Sequence, residues 1–275
     1  METPRRRIVI DDGSLSQDTL SRDAEAKMVR AGSTTMDETQ EDYVSWKGWQ
    51  EDDFGRFDSR HRRYFDWHVN RALRGKTPAL VLEIGFGNGA FLGYCKQRGC
   101  SAWGIELDPR LRERASRAGF PTRPSLDELP TGQHFDLIVL FDVLEHVPTD
   151  ELIPFVKKLR ERLTRDGAVL LRVPNGDSPF GRRNQHGDLT HVAAFAEFKL
   201  KQLAQLCDLK LVELGEAPWH SQRFESRNLR CLTRAVARSL INRIFGFAYF
   251  NRAVDLDTNL AAVLVPTSSP RPAFP

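Results

Sequence analysis

Val81-Leu82-Glu83-Ile84-Gly85-Phe86-Gly87-Asn88-Gly89-Ala90-Phe91-Leu92 carries an apolar run into three glycines at alternate positions, then out into a second apolar pattern. Ala79 to Ile84 reads as a buried strand, and the pattern through Gln97 as a helix. Glycines at a strand-to-helix turn let the backbone come close to a ligand. A pyrophosphate site uses G-x-G-x-x-G, with the phosphates at the helix N-terminus. Here the spacing is G-x-G-x-G, and Glu83 stands just before it. A carboxylate there repels a pyrophosphate and favours a ligand with a positive centre and an ammonium group.

S-adenosylmethionine is such a ligand: it has a sulfonium, an amino-acid end and no phosphate. The second strand, Ser101 to Glu106, ends in Gly104-Ile105-Glu106-Leu107-Asp108-Pro109. An acid about 20 residues past the glycine turn is placed to bind ribose hydroxyls. Glu106 is the expected ligand, with Asp108 the less favoured choice.

Outward from this unit, strand-like runs alternate with helical patterns. Helices are expected at Asp108–Ala118, Asp150–Leu163 and Lys199–Cys207. Strands are expected at Phe135–Phe141, Ala168–Val173, Leu209–Leu214 and Leu260–Val265, with Arg165-Asp166-Gly167 as a turn. Near-continuous apolar strands separated by helices imply a parallel sheet covered on both faces, an α/β Rossmann-like architecture.

The motifs E-I-G-x-G-N-G, G-I-E-L-D-P and F-D-L-I-V-L-F-D-V-L-E-H-V together resemble the class I S-adenosylmethionine-dependent methyltransferases over about Leu80 to Leu214. The nearest likeness is to the subgroup of ubiquinone-biosynthesis and polysaccharide-locus O-methyltransferases. The resemblance implies a mostly parallel seven-stranded sheet whose final strand is antiparallel. It implies that Glu83, Gly85, Phe86, Gly87, Asn88 and Gly89 face the methionine part, that Glu106 holds ribose and that Leu107 packs on adenine. Ser125 or Leu126 would edge the adenine, and Phe141 would lie near the cofactor. The segment RPSLDELP departs from the family pattern in lacking the common Gly-Asp.

On the acceptor side, strand four leads into Asp142-Val143-Leu144-Glu145-His146. The [ND]-P-P-[YF] tetrapeptide of many N-methylating enzymes is absent here, which weighs against a DNA or glutamine substrate. If this segment opens a helix, Asp142, Glu145 and His146 share one side. His146 suits proton removal from a hydroxyl acceptor. The alternative is a divalent cation on Asp142, Glu145 and His146, as in some ubiquinone-type relatives. A third reading is a helix start dressed with acids. The long loop after strand five offers Asn175, Asp177, Asn184, His186, Asp188 and His191, with His191 a second candidate base. P-N-G-x-x-P-F-G followed by G-D-L-T-H resembles a pattern in methyltransferases of bacterial surface-glycan loci. A sulfonium is already a good leaving group, so alignment and desolvation are the main demands. A hydroxyl needs a base whereas a free amine does not, so two histidines point to O-methylation of a sugar or cell-surface polysaccharide precursor. Alternatives are a quinone or natural-product acceptor, or a cofactor-binding protein without turnover.

Residues 1–40 are polar and read as a loosely attached tail. Residues 41–77 are an aromatic helical cap, with Tyr43, Trp46 and Trp49 ahead of a helix at Ser59–Leu73; lid and core roles both fit. Residues 216–258 form a basic helical insertion before the last strand. Arg227, Arg230, Arg234 and Arg238 line one face there, facing a membrane surface, an anionic acceptor, a second subunit or solvent. Residues 266–275 read as a Pro-rich extended tail. Among 275 residues, 40 Lys+Arg against 37 Asp+Glu give a net charge of +3, which argues against a nucleic-acid binder. Four scattered cysteines with no CxxC, no signal-like start and no membrane-length apolar run suit a reducing cytoplasm, with peripheral membrane contact left open.

Overall fold

A computed structural model describes residues 47–49, 53–217, 229–251 and 254–274. Lys47–Trp49 form a turn and belong to a separate unit from residues 50 onward, which cluster as one. Tyr43, Trp46, Arg227 and the 1–40 segment lie outside the described residues.

The long unit opens with α1 (Ser59–Leu73). Asp58 caps it, accepting from the backbone N–H groups of Arg60 and His61, while His61 returns a bond to the Asp58 backbone. Then follow β1 (Leu80–Ile84), α2 (Ala90–Gln97), β2 (Ser101–Ile105), α3 (Pro109–Arg117), the two-residue β3 (Thr122–Arg123) and β4 (Phe135–Phe141). After them come α4 (Leu152–Glu161), β5 (Leu163–Pro174), α5 (Arg182–His186), α6 (Glu197–Leu206), β6 (Leu209–Leu214), α7 (Leu229–Phe245) and β7 (Asn259–Pro266).

The seven strands form one sheet in the order β3-β2-β1-β4-β5-β7-β6. β1 through β5 pair in parallel, and β7 runs antiparallel to both β5 and β6. The expected α/β sheet is therefore present. Strand order reverses between β1 and β4, and crevices at such reversals, outside the carboxyl ends of the strands, are where open α/β sheets hold ligands. One face packs Leu82, Ile84, Ile138, Leu140, Val169 and Leu171 against α4 and α6 residues such as Val156, Leu159 and Leu200. On the other, Tyr64, Phe65 and Phe91 of α1 and α2 gather around Phe141.

Two sequence expectations change. Arg165-Asp166-Gly167 lies inside β5: register against β4 jumps from Phe135↔Leu163 to Leu137↔Ala168, so the strand absorbs the turn as an irregularity. The 266–275 segment also packs rather than trailing. Buried Arg271 donates to the carbonyls of Ala72 (2.6 Å) and Arg71 (3.2 Å), the last turn of α1, where carbonyls have no helical partner. Phe274 packs against the core.

Candidate active site

At the end of β1 the chain turns through Gly85 (φ +65°), Gly87 (φ +52°) and Gly89 (φ +70°). Two of these positions require glycine on two grounds, left-handed backbone and space. A Cβ on Gly85 would lie 2.7 Å from Val143 Cγ2, and one on Gly89, 2.4 Å from the Phe54 ring. Phe54 thus lies on the turn, and Gly89 caps α2.

Glu106 reaches into this turn from the end of β2. Its Oε2 accepts from Gly87 N (3.1 Å), and its Oε1 from Leu107 N (2.8 Å) and Asp108 N (3.3 Å). Burial pushes the carboxyl above its ordinary value, against the pull of those three N–H groups. Asp108 caps α3 by accepting from Arg110 N, and is paired with the Arg110 guanidinium at 2.7 Å. Burial opposes the charge on Asp108, but Arg110 holds its carboxyl below the usual range. Asp108 is therefore committed to a side-chain ion pair, whereas Glu106 accepts from backbone N–H groups alone.

Glu83 is buried, with Oε2 lacking any hydrogen-bond partner; burial pushes its carboxyl well up, and the Glu106 charge adds to this. Asn88 gives its Nδ2 to Asp53 O (3.1 Å) but leaves its buried Oδ1 unpaired. Two orphaned acceptors beside a glycine turn fit a ligand that brings donors and a positive charge. The other expected contacts divide. Leu107 is 65% exposed. Phe86 turns inward, edge-on to Phe54 and against the position a Gly104 Cβ would take, so only its backbone faces the turn. Ser125 is half-buried ahead of a short 3₁₀ turn (Leu126–Glu128), whereas the Leu126 side chain is in the core and cannot edge a ligand. Phe141 lies among Tyr64, Phe65 and Phe91, with the Arg172 guanidinium 5.2 Å above its ring.

The segment after β4 is a 3₁₀ turn, Leu144–His146, not the opening of an α-helix. Asp142 takes φ +58° and is turned to Arg172, whose Nε donates to its Oδ1 at 2.8 Å. The expected trio of Asp142, Glu145 and His146 is therefore not assembled. Instead, ligand atoms of Glu145, His146 and His191 lie within 4.8 Å of one another. His191 arrives because the backbone carbonyl of Glu145 accepts from Val192 N (2.8 Å) and Ala193 N (3.0 Å), pinning the loop after β5 onto the turn. The two imidazole centroids stand 4.7 Å apart.

Hydrogen bonding sets the tautomers. The Thr190 hydroxyl donates to Asp188 Oδ1 (2.6 Å), so it accepts from His146 Nδ1 (2.9 Å). His191 Nδ1 donates to Gln185 O (3.2 Å). In its neutral form each ring would then carry its lone pair on Nε2, the arrangement of a base oriented through its other nitrogen. Glu145 is fully buried, neither carboxylate oxygen has a hydrogen-bond partner, and burial helped by the Asp142 and Asp188 charges lifts it to about 8.

Most loop side chains expected to bind hydroxyls instead hold the loop together. Asn175 Nδ2 donates to Asp255 O and Asp257 O, both at 3.0 Å. Asp177 accepts from Glu197 N (2.8 Å), and Asn184 donates to Asn259 Oδ1 (2.7 Å). A segment with little regular structure must satisfy its backbone through side chains. His186 is exposed.

Beneath the acceptor side lies a buried network that sequence reading missed. His68 Nε2 meets Glu216 Oε1 at 2.8 Å, the Tyr64 hydroxyl donates to Glu216 Oε2 at 3.3 Å, and Arg172 lies 5.4 Å over the Tyr64 ring. Burial pushes Glu216 up, but His68 and the Arg172 charge hold it below its ordinary value; burial pushes His68 down, against the pull of Glu216. The available signal was Arg172 itself, a lone cation in the apolar run Ala168–Val173.

A family model described as a methyltransferase domain matches residues 56–214, more than half of the chain. The chain belongs to that family, and it is a class I S-adenosylmethionine-dependent methyltransferase. Its fold is similar to that of an S-adenosylmethionine-dependent methyltransferase from Archaeoglobus fulgidus, with TM-score 0.54, 20% identity, and 75% and 94% of the two chains covered. One from Clostridium acetobutylicum gives 0.51 at 11% identity, over 76% and 92%. The N-methyltransferase NodS from Bradyrhizobium japonicum gives 0.49 at 15%, over 76% and 88%. No sequence among curated proteins matches the chain.

Proposed function

We propose that the chain transfers a methyl group to a hydroxyl oxygen, and that this hydroxyl belongs to a sugar or a glycan precursor. The observation that carries the reading is the pair of imidazoles, His146 and His191, each anchored through Nδ1 and presenting Nε2 beside the end of β4. The bound cofactor supplies an electrophilic methyl on a sulfonium. Glu106 binds its ribose, the Gly85–Gly89 turn admits its amino-acid end, and the unpaired Glu83 and Asn88 oxygens accept from its donors. Leu107 and Ser125 border the adenine. Phe54 and Phe141 exclude water from the two ends of the cradle.

The acceptor proton passes to Nε2 of His146 or His191. An amine acceptor would leave two oriented bases without a task. Thr190, whose hydroxyl accepts from His146 Nδ1, and Asp188, which accepts from that hydroxyl, would hold neighbouring hydroxyls of a polyol. The test is a mass-spectrometric assay with labelled cofactor on nucleotide sugars, sugar phosphates, catechols and primary amines. Methyl ethers on the sugar panel support the proposal; methylated amines without any ether overturn it.

A second reading rests on the same trio. Glu145, His146 and His191 offer one carboxylate and two imidazole nitrogens, a donor set suited to a divalent cation that would lower the pKa of an acceptor hydroxyl. Turnover unaffected by EDTA removes this reading and keeps the first.

A further inference from the structure

α7 and the π-helical turn after it (Gly246–Phe250) present apolar side chains that the other described residues leave exposed. Between Val236 and Phe250 the one buried residue is Gly246. Val236, Leu240, Ile244 and Phe247 repeat every three or four residues and form an exposed stripe, with Phe247 86% exposed. Ile241, Phe245 and Tyr249 are also exposed, on another side of the helix, the last two rings stacked at 5.8 Å. Monomeric soluble surfaces rarely expose contiguous apolar patches of this kind without a partner.

The charge of the segment identifies the partner. From Ser226 to Val254 the sequence holds Arg227, Arg230, Arg234, Arg238, Arg243 and Arg252, with no lysine and no acid. Arg238 pairs with Asp257, which lies beyond the segment, and Arg243 is exposed. Two copies brought together through this segment would each carry its six arginines and no acid of its own. An anionic lipid surface satisfies both features at once: acyl chains accept the aliphatic and aromatic side chains, and headgroups accept the guanidinium groups. Aromatic rings at one end of the segment, Phe245, Phe247, Tyr249 and Phe250, suit the level of the headgroups. No described helix is long and apolar enough to cross a membrane, so the element would lie along the surface.

We infer that α7 and the Gly246–Phe250 turn form an interfacial element that seats the enzyme on an anionic lipid surface. Flotation of the full chain with vesicles tests this. It should partition onto phosphatidylcholine vesicles containing phosphatidylglycerol, partition weakly onto pure phosphatidylcholine, and leave the anionic vesicles as salt rises. Arg243→Glu should weaken partition about tenfold, since a charge of one sign is exchanged for the other. The double variant Phe247→Ser with Tyr249→Ser should weaken it at least as much. Both alter exposed side chains, and an unchanged thermal melt confirms folding. Absence of binding to anionic vesicles overturns the inference. So does light scattering that shows a dimer in solution which Phe247→Ser converts to monomer.

Discussion

His191 Nε2 stands 4.0 Å from Oε1 of Glu145, a fully buried carboxyl with no hydrogen-bond partner on either oxygen. The imidazole is held from its far side by Gln185 O, so Nε2 faces a carboxyl that burial raises to about 8, with Asp188 Oδ2 also 4.0 Å away. If His191 is the base, His191→Ala lowers turnover by about 10²–10³-fold while cofactor affinity measured by calorimetry moves less than about twofold. His146→Ala should behave in the same way with a smaller loss. Unchanged turnover in both variants would remove general-base catalysis from the mechanism.

Glu145 also sets a pH dependence of stability. Its carboxyl is raised to about 8 in the fold, against an ordinary value of 4.5. Between these values the folded chain binds one proton more than the unfolded chain, so this group makes stability fall as pH rises. The slope approaches about 1.4 kcal/mol per pH unit, and the contribution is whole only below the ordinary value. In urea titrations from pH 5 to 8 with EDTA present, Glu145→Gln should flatten the decline seen in the wild type. Parallel curves for the two proteins would contradict the burial argument.

Glu106 and Asp108 are two residues apart and should fail differently. Glu106→Ala should abolish measurable cofactor binding while the fold persists. Asp108→Ala removes the cap of α3 and should cost about 1 kcal/mol of stability with cofactor affinity nearly unchanged. Calorimetry and thermal melts on both variants separate the roles. Loss of cofactor binding in Asp108→Ala alone would reverse the assignment.

Gly89→Ala meets two obstacles, a left-handed φ of +70° and the Phe54 ring 2.4 Å from the new methyl group. The strain is worth about 1–3 kcal/mol, and the turn should lose cofactor affinity with it. Adding Phe54→Ala removes the clash but not the backbone strain. The double variant should recover part of the melting temperature and remain below wild type. Full recovery would show that backbone conformation at Gly89 matters little.

The fold, and the glycine turn that Glu106 reaches, were legible because their signals are local. An apolar strand, a glycine turn and an acid after the next strand fall within about 25 residues, and periodicity fixes their elements. The acceptor side was only half legible. Glu145, His146 and His191 were each singled out, but their grouping depends on two backbone bonds across a loop, which no spacing rule encodes. Asp142 misled for a similar reason: the helical spacing that would have placed it beside Glu145 is replaced by a positive φ and a pairing 30 residues away. Leu126 shows the same limit at one residue, since the side facing the ligand is chosen by a 3₁₀ turn too short to have a pattern. Arg271 was hidden by the prolines around it, which signal an extended chain but not what that chain lies against.

β7 follows every other strand in the sequence yet lies inside the sheet, between β5 and β6. A ribosome releases β1 to β6 before the strand that separates the last two of them. During synthesis β5 therefore carries an open edge, and β6 has no neighbour to pair with. The clasp of Arg271 on the end of α1 forms later still, across 199 residues. Completion of this sheet waits until β7 has been made, and the nascent chain must keep an apolar strand edge from other partners until then.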